Sequence, residues 1–556
     1  MTVTPATPAP PTPAGSTTGP GSVTHNRRWL ILAVLCLSLM IVTVGNASLN
    51  VTLPTLSREL GATESQLQWV VAVYSLVFAG LLFPSGAVGD RYGRKGALQL
   101  GLAVILVAVT LASRSGEMWQ LIGCRALMGL GAALIMPSTL SILINVFPPH
   151  ERTKAIAIWA SVTGAGGAIG QVMSGALLGH FWWGSVFLIN VPLVLTALVA
   201  GYFLLPRSRD PEEAPLDPGG VVLSIVGVVS LVFGLIQAPV NGWLDPTTLI
   251  AFGISAVFLF AFVLYERRVD EPMVDMGYFR NPAFSTATGC MILVFLAMYG
   301  LMFLITQYLQ LVQGYSALGA AVRLLPTALV VIVVSPFTPR ISARLGANRA
   351  VALGMSLAAV GMLSFVWLDQ STAYPQLILG FIVTVVGLAM TMSPMTAAIM
   401  SAVPTRRAGA GSATNDATRE LGAALGIAVL GSIAATHYTN AVTPAVDATL
   451  SGPAAAAAKA SVSGALDAAS SLGPAAQQTL VKAANDAFIG GLHLAVLVGA
   501  ILAAGAAVVV LRKLPHVLVH HEGGGDPAYD RQPGVDESED DEIGELPETV
   551  GLIGGA

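Results

Sequence analysis

Residues 415–422 read NDATRELG and place Asp416, Arg419 and Glu420 within five residues of a segment otherwise made of Ala, Gly, Val, Ile and Leu. On a helix the two acids stand at i,i+4 and share a face, while Arg419, three residues after Asp416, is placed to neutralise one of them. Two readings are open. One is a local ion pair with a spare acid at a wetted interface. The other is a carboxylate that exchanges a proton inside an apolar surrounding, the default for an acid within a membrane span. Arg125, in the run CRALMGLGAA, is a second charge in apolar company. An unpaired Arg near a bilayer centre costs at least about 2.5–3.5 kcal/mol, so it has to face a cavity and have a partner.

Composition says why these few charges matter. Of the 556 residues 54% are hydrophobic and 10% charged, and mean hydropathy is +0.73. A soluble domain carries about a quarter charged residues, so the chain is a polytopic membrane protein. A helix needs roughly 20 apolar residues to cross about 30 Å of hydrocarbon. Fourteen runs qualify: 30–53, 68–88, 97–113, 118–146, 154–179, 184–205, 219–238, 248–265, 284–312, 319–338, 349–368, 375–402, 408–436 and 488–511. Counted from residue 408, Asp416 lies about 12 Å and Glu420 about 18 Å into its span.

An even count puts both termini on one side, and basic flanks mark that side as cytoplasmic. Of the 27 Lys and Arg residues, that orientation puts nineteen at the inner flanks and loops, four outside (Arg58, Arg114, Lys459 and Lys482) and Arg531 in the tail, which leaves Arg125, Arg323 and Arg419 in or at the edge of spans. Arg323, near the outer end of the tenth span, has a structural reading. Residues 1–28 form a Pro-, Thr- and Ala-rich cytoplasmic tail and residues 514–556 an acidic one with EDDE at 539–542; both are expected to be disordered. Cys36, Cys124 and Cys290 all fall in spans, so neither a disulfide framework nor a metal site is expected.

The chain also repeats itself. GDRYGRK at 89–95 is echoed by ARLGANR at 343–349, aligning Gly93 with Gly346, and the series Gly131, Pro137, Pro148 is echoed by Gly387, Pro394, Pro404. Eight crossings separate the copies, so they run in parallel. The implied plan is a six-helix bundle at 29–206, two inserted helices at 207–282 and a second six-helix bundle at 283–513, with an extracytoplasmic loop at 437–487. Parallel halves that rock about a midplane cavity are a transporter design. A membrane enzyme would need a nucleophile and base or a metal cluster facing a cavity, and no HExxH or GxSxG occurs.

Several segments carry a family resemblance. GAVGDRYGRKG at 86–96, RALMGLGAA at 125–133 and GAGGAIGQVMSG at 164–175 resemble signatures of the major facilitator superfamily. FLINVP at 187–192, LDPGG at 216–220, YLQLVQGYSALGAAVRLLP at 308–326 and NDATRELGAALGIAVLGS at 415–432 resemble markers of its fourteen-span drug and proton antiporters. The resemblance implies an all-α membrane protein of fourteen helices arranged 6+2+6. Its function would be proton-coupled export of hydrophobic or amphipathic small molecules across the cell membrane by alternating access. Export of one lipid or metabolite, and proton-coupled import, are the alternatives within that class; outside it stand a membrane-embedded enzyme and a non-transporting sensor. It implies no cofactor and no nucleic-acid partner, and a monomer that meets only its substrate, protons and lipid.

The resemblance also assigns residues. Gly86, Asp90, Arg91, Gly93, Arg94 and Lys95 would form a gating latch at the cytoplasmic mouth; the plainer alternative is a positive-inside anchor with a tight turn. Gly164, Gly166, Gly167, Gly170 and Gly175 would form the fifth-helix antiporter face, although Gln171 stands where the family pattern has Pro after Gly170. On the first helix the family carries an Asp that would face Arg125, but this chain reads GNASLNVTLP at 45–54, with Gly45 in the acid's place. Asn46 and Asn50 remain as hydrogen-bonding partners for Arg125, and the proton carrier is expected at Glu420 or Asp416, tuned by Arg419 or Arg125. Gln307 and Gln310 of the ninth span and the Met-rich MTMSPM at 390–395 are expected to line an adaptable substrate cavity, though core packing explains the Met residues equally well.

Overall fold

A computed structural model describes residues 27–206, 217–269, 272, 274–403 and 408–515. It divides into two units, Met1–Leu518 and Val519–Ala556, and the second lies wholly outside the described residues. Also outside them are the tail at 1–26, the acidic stretch EDDE, and Arg207, Arg209, Arg406, Arg407 and Arg531. The side chain of Asp90 and the surroundings of Gly164 are likewise undescribed.

The described residues are all-α, and thirteen of their helices are long and apolar enough to cross a bilayer, against the fourteen expected. The helices are α1 (Arg28–Glu59), α2 (Glu64–Tyr92), α3 (Arg94–Ala112), α4 (Met118–Val146), α5 (Pro149–Leu178), α6 (Ser185–Leu204) and α7 (Pro218–Asn241). They continue as α8 (Pro246–Glu266), α9 (Pro282–Val312), α10 (Ala317–Leu345), α11 (Ala347–Trp367), α12 (Tyr374–Ser401), α13 (Ala408–Thr449) and α14 (Pro474–Lys513). The remaining helix, α5, runs unbroken over Pro149–Leu178 as expected; several of its side chains up to residue 164 lie outside the described residues, which leaves Ala165–Leu178 as its described apolar stretch.

Glycines bring the helices together, and they do so twice. A Cβ on Gly101 of α3 would stand 2.8 Å from the carbonyl oxygen of Gly131 on α4, and one on Gly354 of α11 would stand 2.7 Å from that of Gly387 on α12. The aligned pair Gly93 and Gly346 share a second trait, since both hold positive φ (111° and 85°) at the tight links between α2 and α3 and between α10 and α11. Residues with a Cβ rarely adopt that conformation. The same backbone solution thus occurs in both copies, and small residues are what permit close approach where lipid gives helices no hydrophobic reason to associate.

The loop expected at 437–487 is mostly helix. α13 runs on to Thr449 and α14 starts at Pro474, with two short helices, Gly452–Ala460 and Val462–Ala469, between them. At 1.5 Å per residue each long helix reaches about 60 Å, twice the hydrocarbon thickness. Hydropathy ends where the membrane ends, whereas Ala-rich sequence keeps a helix going in water. The inserted pair packs α8 on α7; α8 is the least covered span, with 17% of its apolar window buried. α7 packs further against α2 and α13, one helix from either side of the insertion.

The crossings set a stability expectation. In Gly131→Val the added carbons would meet Ile105 Cγ1 at 2.5 Å and the Gly101 carbonyl. Overpacking of this kind costs typically about 1–3 kcal/mol. Gly131→Val and Gly387→Val should each lower the detergent melting temperature by several degrees. Gly123→Ala, which meets nothing within 4 Å, should leave it unchanged; fluorescence-detected size exclusion after heating reads the difference.

Candidate functional site

Arg125 has no exposed surface, and its guanidinium organises three helices. Its Nε donates to the Val70 carbonyl (3.1 Å) on α2, Nη1 to the Gly45 carbonyl (3.3 Å) and Nη2 to Asn46 Oδ1 (3.2 Å) on α1. Its Cζ lies 4.4 Å from the centre of the Tyr74 ring. Gly45, standing where an acid was expected, therefore still serves the arginine, through its backbone. The expectation that Arg125 faces the cavity is corrected: it lies behind Asn46 and Tyr74, and those two side chains form the wall. Burial among fixed oxygens and a ring face gives a guanidinium its partners without an acid.

In front of that wall is a cavity of about 220 Å³, bounded by α1, α2, α4, α5, α9 and α13. Asn46 and Asn50 line it as expected, with Tyr74 and Phe78 of α2, Gln171 of α5 and Tyr299 of α9. Asp416, Arg419 and Glu420 all reach it. Arg419 Nη1 is 3.5 Å from Asp416 Oδ1, and its guanidinium sits 4.9 Å from the Phe295 ring centre. Asp416 also accepts from Asn415 Nδ2 (3.4 Å). Glu420 is different: its Oε2 is buried without a hydrogen-bond partner, as is the Tyr74 hydroxyl. The local pair and the spare acid of the sequence reading are both present. Sites for drug-sized ligands run to roughly 300–1,000 Å³, so a large occupant requires the walls to move. Met136, Met298 and Met302 give the wall deformable side chains.

Other expected residues do different work. Gln307 and Gln310 do not line the cavity. Gln307 Nε2 donates to Glu64 Oε1 (3.2 Å) and Gln310 Nε2 to the Val51 carbonyl (2.9 Å), closing the seam between the first six helices and the last six. These contacts fall at the face where α1 ends and α2 begins, opposite Arg28 and Lys513. α9 passes into a π-turn at Tyr308–Val312, which rephases its faces and turns Gln310 toward α1. None of residues 390–395 lines the cavity either.

The fifth-helix glycines divide their tasks. Gly166 packs against Thr43; a Cβ on Gly170 would meet the Val44 carbonyl at 2.8 Å, and one on Gly175 would meet Leu318 Cα of α10, across the seam, at 2.6 Å. Gly167 lines the cavity. With Gln171 in place of proline, α5 is continuous from Pro149 to Leu178. At the other face, Gly86 and Gly89 bring α2 against Pro137 and Ser138 of α4. Lys95 Nζ donates to the carbonyls of Tyr202 (2.6 Å) and Leu205 (2.9 Å) at the end of α6, and Arg91 lies beside the Tyr92 ring. Arg323 stacks on Tyr315 at 3.8 Å and donates to the Gly319 carbonyl, in keeping with its structural reading.

One relation escaped the sequence reading. Gly166 and Gly170 pack α5 on α1, and Gly422 and Gly426, at an offset of 256, pack α13 on α9 against Ile292 and Leu296. The helix bearing Asp416 and Glu420 is thus the second copy of the glycine-rich fifth helix. Extending the 256-residue offset already seen at Gly131 and Gly387 would have found it.

The profile described as Major Facilitator Superfamily matches residues 35–427. The chain is 36% identical over 488 residues to the multidrug efflux pump LfrA of Mycolicibacterium smegmatis, covering 88% of this chain and 96% of that protein. It is 34% identical over 512 residues to the tetracenomycin C resistance and export protein of Streptomyces glaucescens, covering 90% and 94%. With the methyl viologen resistance protein SmvA of Salmonella typhimurium it shares 33% over 472 residues, 83% and 93% of the two chains. Among solved structures, a bacterial homologue of the human lysosomal transporter Spinster, inward-facing and occupied, superposes with a TM-score of 0.59 at 16% identity over 88% of this chain and 97% of that one.

The guanidinium geometry yields a direct test. A lysine offers one compact donor head and cannot serve Val70, Gly45 and Asn46 at once. Arg125→Lys should lower the melting temperature and cut transport at least tenfold at equal expression; near-normal rates would show the fork to be dispensable.

Proposed function

The chain belongs to the Major Facilitator Superfamily of membrane transporters, and from that premise we propose that it exports hydrophobic or amphipathic small molecules in exchange for protons. One observation carries the reading: a cavity walled by helices from both sides of the insertion holds Glu420, an intramembrane acid with one carboxylate oxygen buried and unpartnered. A carboxylate so placed is stabilised by a proton or by a donor on a bound ligand, and not by both at the same oxygen. That exclusivity is what exchange of substrate for proton requires. Asp416, already joined to Arg419, is the second proton site.

The aromatic and Met walls suit flat or greasy molecules of varied shape. The names of the similar proteins support drug export: a multidrug efflux pump, an antibiotic exporter and a methyl viologen resistance protein. With the termini in the cytoplasm, as the basic flanks suggest, the seam joined by Gln307 and Gln310 is the closed outer gate, and substrate loads from inside. The seam opens as the first and last six helices rock about the cavity. Gly86, Asp90, Arg91, Gly93, Arg94 and Lys95 form the matching latch at the cytoplasmic mouth, while Lys95 also anchors the end of α6.

Inside-out vesicles energised with a proton gradient test the proposal, with methyl viologen and a fluorescent lipophilic dye as probes. Glu420→Gln should reduce gradient-driven accumulation at least tenfold while unenergised exchange persists, and Arg419→Ala should shift the pH dependence of transport. Undiminished gradient-driven uptake by a Glu420→Gln, Asp416→Asn double variant would remove both acids from the mechanism.

A further inference from the structure

Pro239 lies inside α7 and has no N–H to return to the Leu235 carbonyl one turn earlier. That carbonyl is not left bare. The Ser432 hydroxyl of α13 donates to it at 2.5 Å. Hydroxyls in the other spans mostly bond within their own helix, as Ser38 does to Val34, Thr52 to Ser48 and Thr418 to Thr414. Ser432, fully buried, reaches across to another helix. On its other side Gln68 of α2 stands with Oε1 3.4 Å from the same hydroxyl oxygen and Nε2 buried without a partner. A half-turn of that amide brings Nε2 to the hydroxyl and completes a chain from α2 through α13 to α7.

We propose that Ser432 is a positioning residue for the conformational exchange: it docks the inserted helix α7 on α13 through the carbonyl that Pro239 frees, so that α7 travels with the last six helices. The two sides of α7 differ in one respect. Toward α13 a short, directional hydrogen bond is added to the apolar packing of Val232 and Ile236 with Ala424 and Ala428. Toward α2 the contact is mainly apolar: Ala72 and Leu76 against Val232 and Ile236, and Gly80 against Ile225. Apolar contacts have no preferred direction and allow sliding. When the seam opens, α2 moves along α7 and the Ser432 bond holds. The helix is a strap that limits how far α2 and α13 part, a role independent of which molecule is carried and of what drives it.

The test uses the full-length protein in nanodiscs with Cys36, Cys124 and Cys290 replaced by Ala, and spin labels at Arg58→Cys and Ala373→Cys, both exposed at the face of the seam. Ser432→Ala should broaden the label separation toward longer distances and cut the maximal dye-export rate at least threefold with KM unchanged. Ser432→Thr should restore both. Pro239→Ala gives the Leu235 carbonyl its own N–H, so in that background Ser432→Ala should change either readout by less than about 1.5-fold. If Ser432→Ala alone does not fold, recovery of folded protein in the Pro239→Ala background supports the docking role, and failure there overturns it. An equal effect of Ser432→Ala in both backgrounds, or no effect in either, overturns it as well. The distance readout needs no substrate or gradient, so it separates failure of the strap from failure of the proposed exchange.

Discussion

A fully buried guanidinium with no ion-paired acid among the described residues is the constraint around which this protein is arranged. Removing Arg125 from water is expensive, and the expense is met by the oxygens of Val70, Gly45 and Asn46 and by the face of Tyr74. Each of these groups belongs to α1 or α2, while the arginine belongs to α4. Satisfying one side chain therefore fixes three helices relative to each other and aims Asn46 and Tyr74 into the cavity. The Arg125 charge is kept one layer back from the cavity, and Asp416, Arg419 and Glu420 of α13 form its charged lining.

The second organising feature is the pairing of helices through glycine. α5 on α1 and α13 on α9 use glycines at matching positions, and α3 on α4 and α11 on α12 repeat a glycine-to-glycine crossing. Duplication alone would make the two sides of the cavity chemically alike. They differ because α13 presents Asp416, Arg419 and Glu420 to the cavity, whereas α5 presents Gly167 and Gln171. Packing is shared between the copies, and chemistry is concentrated in one. The seam at the face opposite the termini follows the same economy: Gly175 lets α5 meet α10 closely, and two glutamine amides supply the polar contacts across it.

Read alone, the sequence determined the class, the place of the helices along the chain though not how far α13 and α14 run on past the hydrocarbon, the parallel repeat and the helix that carries the acids. These follow from a property that a chain states outright, since residues in hydrocarbon must be apolar for about 20 positions and any charge among them stands out. Of the two partners named for Arg125 on α1, Asn46 bonds it, whereas Asn50 lines the cavity instead. Which face of each helix meets what was not legible. Lipid and protein interior are both apolar, so hydropathy separates membrane from water but not a lipid-facing residue from a core-facing one. Only the tertiary structure decided that Gln307 and Gln310 close a seam, that Arg125 stands behind Tyr74 and that the 390–395 methionines lie away from the cavity. It alone brought Ser432 to the carbonyl that Pro239 leaves open, because that contact joins residues 197 positions apart and depends on how three helices pack.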